Sequence, residues 1–593
     1  MLKKLMVVMS AALIIFSAGV VPVVAQTTAG DATKINFASI KISGSFPETS
    51  SQIGLFGELG SDLRKMIERL DKAASGDDVS GVILQIRSPV IGRGKLHELR
   101  AAIHRVRKSG KKVYADLESA TAADYLIATA CDEIVMPPGG MLLVTGVRAE
   151  VMFYQKLLEK LDIKADFIQM GDFKGAAEPY MRSEMSPELR KQYESLVGDL
   201  YDQLVTTISE SRGIEPDKVK ALIDRGLFTA ADAKAAKLID RVSYEDDLKK
   251  AILKDRKAQT LAVIRNYGKK KLDTDFSGFT GMIRLLNMMM GIDSQVVRSR
   301  NDKIAIVYAV GAIFTGESQM DLLGSSVLGS DTVVKALRKA NKDPKVKAIV
   351  LRVDSPGGSA VASDQIWREV VTIKKPVIAS MGDVAASGGY YISMGADKIF
   401  VEPGTITGSI GVVGGKLAIG GLLEKVGITT DVVSIGKNNG IFSTDSPFTP
   451  SEREAITKLM EETYEQFTTK VAEGRKMDLE KVHDLAQGKI YTGRQAIKNG
   501  LADELGTLRD AVAAAKQAAG FGAGQKVDIE ILPKPMSLFE QMLGGPMIES
   551  RLLDAQVKKI IPEAVGGLRQ VQMLRRLFTR PVNLVLPYQI QIK

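Results

Sequence analysis

Apolar residues recur along this chain in two alternating rhythms. Runs such as Val82-Ile83-Leu84-Gln85-Ile86 and Ile349-Val350-Leu351-Arg352-Val353 read as buried strands, and apolar positions three and four residues apart read as amphipathic helices between them. Strand and helix in alternation predict an α/β fold with a parallel-type sheet and crossover helices. The pattern then repeats. Leu59-Gly60-Ser61-Asp62 returns as Leu328-Gly329-Ser330-Asp331, the strand with Asp132 as the strand with Asp397, Pro138-Gly139 as Pro403-Gly404, and Phe228-Thr229-Ala230 as Tyr491-Thr492-Gly493, each about 265 residues further on. Two α/β domains of one fold are therefore expected, at residues 31–255 and 303–520.

The remaining segments differ in texture. Residues 1–30 begin with Lys3 and Lys4, continue as an apolar run from Leu5 to Ala25 and close on Val23-Val24-Ala25, which reads as an export signal or an uncleaved membrane anchor. Residues 256–302 form a linker with a basic run, Lys269 to Lys271, and a Met-rich stretch, Met282 to Met290, suited to domain or subunit packing. The tail, residues 521–593, carries an apolar helix candidate around Leu538 to Leu543 and a basic helical pattern from Val571 to Leu577, suited to a membrane surface or a neighbouring subunit.

Composition narrows the chemistry. With 593 residues, 45% of them hydrophobic, the chain can bury large cores. Its net charge of +10 is spread along the sequence without basic blocks interleaved with aromatics, so nucleic acid is not the expected partner. A single cysteine, Cys131, excludes an internal disulfide. His97, His104 and His483 have no metal-ligand spacing and read as surface helix residues, so no metal or other cofactor is expected. A nucleophilic serine here would need a base other than histidine.

The richest stretch is Pro376 to Val412. Val377-Ile378-Ala379 reads as a strand ending in Ser380-Met381-Gly382-Asp383, and Ser387, followed by Gly388 and Gly389, sits before a helix-like segment beginning at Tyr390. Such a turn can expose a hydroxyl while the next N–H groups face a carbonyl. A run of small residues also serves simply to let a helix sit close to a sheet.

Comparing the repeats favours chemistry. The first repeat has Ala122 in place of Ser387 and Val90-Ile91 in place of Gly357-Gly358, so a nucleophile and a candidate oxyanion hole survive only in the second. Conversely, Gly171-Asp172-Phe173-Lys174-Gly175 aligns with Gly436-Lys437-Asn438-Asn439-Gly440, placing Lys174 opposite Asn439. One site assembled across two repeats, with Lys174 reaching Ser387, explains both losses. A desolvated lysine loses its proton readily, and the small neighbours Gly175, Ala176 and Ala177 suit desolvation. Lys437 is an alternative base, two positions out of register, and Lys174 can also be read as an ordinary exposed loop lysine.

Asp354-Ser355-Pro356-Gly357-Gly358, Ala386-Ser387-Gly388-Gly389-Tyr390-Tyr391, Thr407-Gly408-Ser409-Ile410-Gly411 and Gly171-Asp172-Phe173-Lys174 with Glu178-Pro179 together resemble the long, tandem-repeat form of the signal peptide peptidase A (protease IV) family, within the Clp protease and crotonase fold superfamily. The resemblance runs over nearly the whole chain. It implies two Clp protease/crotonase-like domains and a serine endopeptidase with a Ser/Lys dyad from different halves. Ser387 is then the nucleophile, Lys174 the general base and Ser409, opposite Val144 in the first repeat, the residue orienting the lysine. Oxyanion donors map to the backbone of Gly357 or Gly358 and of Gly388. The resemblance further implies cleaved signal peptides and other apolar peptides as substrates, a homotetramer, and a place at the inner membrane with catalytic domains facing the periplasm. Two other readings compete: a crotonase-like acyl-thioester enzyme, disfavoured by export, and a non-catalytic ring-forming binding protein.

Overall fold

The computed structural model describes residues 34–48, 62–269, 301–320, 326–522, 524–534 and 583–585. The candidate export or anchor segment, the Met282 to Met290 stretch and the two tail helix candidates lie outside the described residues.

Each repeat builds a sheet around its buried strands. In the first, the parallel order is Arg241–Val242, Glu133–Met136, Lys112–Leu117, Gly81–Val90, Lys34–Ser45 and Thr260–Arg265. Side chains alternate between faces: Val82, Leu84 and Ile86 enter one apolar cluster and Ile83 another. In the second repeat the path runs Ile490–Thr492, Ile406–Gly408, Val377–Ala386, Val346–Ser355, Lys303–Val310 and Asp528–Leu532, with Lys398–Val401 and Glu504–Leu505 branching from Val377–Ala386. There Ile349, Leu351 and Val353 face one core while Ala348 and Val350 face the other. Burial on both faces is why these strands read as continuous apolar runs.

The repeated motifs land on equivalent elements. Helix Leu63–Ser75 buries Leu63, Met66, Leu70 and Ala73, and helix Ser330–Lys342 buries Val333, Ala336, Leu337 and Ala340, each at three- and four-residue spacing. Asp62 caps the first, its carboxylate accepting from Lys65 N at 2.7 Å. Long helices Pro187–Arg212 and Pro450–Arg475 also correspond, both opening on Pro after a Ser or Thr cap.

A third sheet joins the halves. Its order is Gln319–Met320, Ser326–Gly329, Ala312–Phe314, Gly357–Ser359, Asn583–Val585, Val412–Ala418 and Lys164–Met170. Lys164–Met170 comes from the first repeat and pairs antiparallel with Val412–Ala418 of the second over seven residues, Met170 opposite Val412 and Lys164 opposite Ala418. Asn583–Val585, from the tail, lies antiparallel to Gly357–Ser359 and pairs with Val413 on its other side.

The repeats also meet along helix Arg93–Lys108, where charges are buried. Arg352 is fully buried and donates to Glu48 at 2.7 and 3.0 Å and to Ser380 Oγ at 3.0 Å, and pairs with Glu98 at 2.9 Å. Burial alone would weaken the guanidinium's charge, but Glu48 and Glu98 outweigh it and hold the group fully ionised. His97, expected as a surface helix residue, instead turns its Nδ1 to the buried Glu402 carboxylate of the second repeat. Its helix packs against the other half of the chain, which periodicity within one helix does not reveal. His104 and His483 are half-buried.

Candidate active site

The strand expected to end near Ser380 continues to Ala386, because Val384, Ala385 and Ala386 pair with Ile406, Thr407 and Gly408. Ser387 follows at once, with φ 55° and ψ −114°, before helix Gly388–Ser393. A positive φ in a residue with a side chain is strained and must be held. Ser387 N donates to Gly408 O at 2.7 Å and Tyr391 N donates to Ser387 O at 2.8 Å. Gly388 could not carry a side chain: a Cβ there would lie 2.6 Å from Ser363 Oγ and 3.1 Å from Gly358 N. The glycine pair expected to form the oxyanion hole is thus packed directly against the residue after Ser387.

Lys174 arrives from the other repeat by way of the strand Lys164–Met170. After Gly171, whose φ of 105° turns the chain, Phe173 N donates to Gln487 O at 2.8 Å. Gly488 presses on the lysine itself, since a Cβ at that position would lie 2.5 Å from Lys174 Cα. The lysine loop is therefore clasped by Gln487 and Gly488 of the second repeat, a contact that the sequence reading did not identify.

Lys174, Ser387 and Ser409 are all fully buried. Lys174 Nζ lies 2.8 Å from Ser387 Oγ and donates to Ser409 O and Ser409 Oγ, both at 2.8 Å. With two hydrogens directed at Ser409, a neutral amine keeps its lone pair for Ser387 Oγ–H. Burial holds Lys174 well below the ordinary lysine range, and no carboxylate opposes it. Glu178 is turned elsewhere: it accepts from Ser186 N at 3.0 Å and from Ser186 Oγ at 2.7 Å. Lys437, the alternative base, is exposed, whereas Lys174, Ser387 and Ser409 are fully buried. The arrangement can therefore move a proton from a serine hydroxyl to a neutral amine.

The family model described as peptidase family S49 matches residues 105–259 and 369–522, one block in each repeat. This chain belongs to peptidase family S49. The Clp protease model also matches, over residues 318–405. Among curated relatives of this S49 serine peptidase, the chloroplastic serine protease SPPA of Arabidopsis thaliana is 32% identical over 490 residues, covering 82% of this chain and 70% of the relative. Protease 4 of Salmonella typhi is 31% identical over 495 residues, covering 80% and 76%. A putative signal peptide peptidase SppA of Enterococcus faecium is 36% identical over 256 residues, 42% of this chain and 74% of its own.

Proposed function

We propose that this S49 peptidase cleaves peptides with a dyad split between its repeats, Ser387 as nucleophile and Lys174 as general base, with Ser409 orienting the lysine. The observation that carries the reading is the 2.8 Å separation of Lys174 Nζ and Ser387 Oγ in a fully buried setting. Neutral Lys174 takes the Ser387 proton as Oγ attacks the scissile carbonyl. The resulting oxyanion is held by backbone N–H groups. Gly357 N already donates to Ser355 Oγ at 3.1 Å, which favours Gly358 and Gly388 as the donors. The lysine ammonium then protonates the leaving amine, leaving an ester on Ser387. Lys174 next takes a proton from water, the hydroxide attacks the ester, and the returning proton frees Ser387.

The peptide lies extended between Gly357–Ser359 and Val412–Ala418, the slot that Asn583–Val585 fills in the described structure, and is held by main-chain pairing. Pairing of that kind accepts many sequences, which suits cleaved signal peptides and other apolar peptides. The functional units are residues 31–255, which bring the base, and 303–520, which bring the nucleophile, joined by 256–302 and flanked by the leader 1–30 and the tail 521–593. Among the described residues no helix is long and apolar enough to cross a membrane. Membrane attachment in the cell envelope, with the catalytic domains on the periplasmic face, is assigned to the apolar Leu5 to Ala25 run. Assembly as a homotetramer is supported by exposed apolar side chains such as Val433 and Ile435, both more than nine-tenths exposed.

Labelling with a serine-reactive fluorophosphonate, read by intact mass, tests the dyad. Wild type and Lys437→Ala take one label, whereas Ser387→Ala and Lys174→Ala take none. Labelling that persists without Lys174, or that requires Lys437, overturns the split dyad.

A further inference from the structure

Ser387 is carried on a strand that does not run evenly to its end. Val377–Ala386 pairs in parallel with Val346–Ser355 as far as Met381 opposite Val353, and the next pair is Ala385 opposite Ser355. Asp354 alone therefore stands against Gly382, Asp383 and Val384, which form a bulge ending three residues before Ser387. The first repeat pairs evenly through Ile86 and Leu117. Its chain from Val113 to Ala122 is also one residue shorter than the aligned chain from Val377 to Ser387. The bulge belongs to the repeat that bears the serine.

A bulge turns a strand and takes backbone groups out of the ladder, so other partners must hold it. Each of the three residues has one. Gly382 O accepts from Thr405 Oγ1 at 2.6 Å, and Val384 N donates to Asp354 Oδ1 at 3.1 Å. Asp383 is held from the other repeat: its carboxylate accepts from Lys95 N at 2.9 Å and pairs with Lys95 Nζ at 3.0 Å. The same Nζ lies 2.7 Å from Asp354. One ammonium thus spans the bulge, with the strand leading to Gly357 on one side and the strand leading to Ser387 on the other.

This contact is built into the start of helix Arg93–Lys108. A cap residue ordinarily offers a side-chain oxygen to the N–H groups of the first helical turn. In the second repeat Ser359 does so, accepting from Ala362 N at 3.4 Å. The aligned cap in the first repeat is Gly92, which has no side chain, and Asp383 takes over by accepting from Lys95 N, at the position aligned with Ala362. Only glycine allows the exchange, since a Cβ on Gly92 would lie 2.2 Å from Asp383 Cγ. Gly94 brings the helix against the bulge itself, where a Cβ would lie 2.6 Å from Gly382 O.

The charges are complementary in the same way. Arg87 and Glu118 of the first repeat, aligned with Asp354 and Asp383, pair with each other at 2.8 Å. The second repeat has two carboxylates there and Ala362 where the first has Lys95, so its cation comes from the other half. Burial alone would weaken the Lys95 charge, but Asp354, Asp383 and Glu48 outweigh it and raise the amine above the ordinary lysine range.

We infer that Lys95 is a positioning residue for the serine nucleophile: by bridging Asp354 and Asp383 it fixes the bulge that sets the course of the chain into Ser387, and with it the place of Ser387 beside Gly357 and Gly358. Lys95 acts through the two aspartates and not on the substrate. The inference rests on Ser387 being the nucleophile. The halves are joined independently by Lys164–Met170 and by the Arg352 ion pairs, so loss of Lys95 should disturb the site more than the fold.

Peptide hydrolysis and the rate of fluorophosphonate labelling, both in the full-length chain, test this. Lys95→Met leaves two adjacent carboxylates without their cation, and is expected to lower kcat and the labelling rate by roughly 10- to 100-fold while KM changes by less than about 2-fold. Lys95→Arg, which keeps the charge, should recover most of both rates. So should Lys95→Met/Asp383→Asn, which carries the same net charge as the native trio and keeps an oxygen for the helix cap. That double variant also decides the matter if Lys95→Met alone folds poorly. A Lys95→Met labelling rate within about 2-fold of wild type, a change confined to KM, or failure of both companion variants to restore the rate would each overturn the inference and leave the dyad untouched. Label retained by Ser387→Ala would instead remove the nucleophile itself, and the role of Lys95 with it.

Discussion

The two repeats share a frame and differ in what occupies it. Strand for strand, Gly81–Val90 corresponds to Val346–Ser355 and Glu133–Met136 to Lys398–Val401, and the long helices starting at Pro187 and Pro450 both run 26 residues. At the site positions nothing matches: Ala122 against Ser387, Val144 against Ser409, Lys174 against Asn439. A frame held by burial tolerates any small or neutral side chain at those positions. The proposed dyad forms where a loop of one half enters the clasp of the other.

The largest effect follows from that division. Ser387→Ala and Lys174→Ala should each lower kcat/KM by about 10³-fold or more. Ala122→Ser and Asn439→Lys, made at the matching positions of the other half, should leave it within about 2-fold. Peptide hydrolysis by the four purified variants checks this. Activity gained through the first repeat would break the comparison.

The buried charges give the next effect. Arg352 is enclosed with Glu48 and Glu98, whereas the aligned residue in the first repeat, Gln85, is only half-buried. Arg352→Met leaves two buried carboxylates without their cation and should cost about 3 to 5 kcal/mol. Gln85→Met should cost less than about 1 kcal/mol. Chemical unfolding curves would show the difference, and equal costs would mean that the Arg352 cluster is not what ties the halves together.

These contrasts also mark what a reader of the sequence can see. The duplicated α/β frame was legible because the strands are buried on both faces and the glycine- and proline-bearing turns recur in order. The approach of Lys174 to Ser387 was suggested by complementary loss, which left Lys437 open as an alternative base. The devices that bring them together were not. Pairing of Lys164–Met170 with Val412–Ala418, the grip of Gln487 and Gly488 on the lysine loop, and the tail strand at Asn583–Val585 join segments far apart in the chain, and no local periodicity reports such contacts. Arg352, Lys95 and His97 read as ordinary charged positions. A signal was present in Asp354 and Asp383, which stand as two carboxylates where the first repeat has the opposite charges Arg87 and Glu118, and which therefore called for a cation from elsewhere.

Ser409 gives a smaller effect. Its hydroxyl accepts from Lys174 Nζ at 2.8 Å, and Val144 offers nothing equivalent. Ser409→Ala should lower kcat/KM by roughly 10- to 100-fold. With one acceptor for the ammonium form removed, the acid limb of the pH–rate profile should move to lower pH. An unchanged limb would show that the Ser409 carbonyl alone orients the amine.

The smallest expected effect runs against the first. Lys174 is held by burial well below the ordinary lysine value of 10.5 that it regains on unfolding. Between those two values the unfolded chain binds a proton that the folded chain does not, so this lysine makes stability fall as pH falls through that window, and has no further effect below the folded value. Lys174→Met removes the group while keeping a side chain of similar length. It should be inactive yet more stable than wild type at neutral pH, by on the order of 1 kcal/mol, and the gain should vanish above pH 10.5. Asn439→Met, at an exposed position free of that burden, should show no such pH-dependent gain in a dilute single chain. Thermal unfolding of both variants across pH separates a lysine kept neutral by its surroundings from one that merely lies near a serine; a Lys174→Met variant less stable than wild type at every pH would mean that the amine is a structural tie.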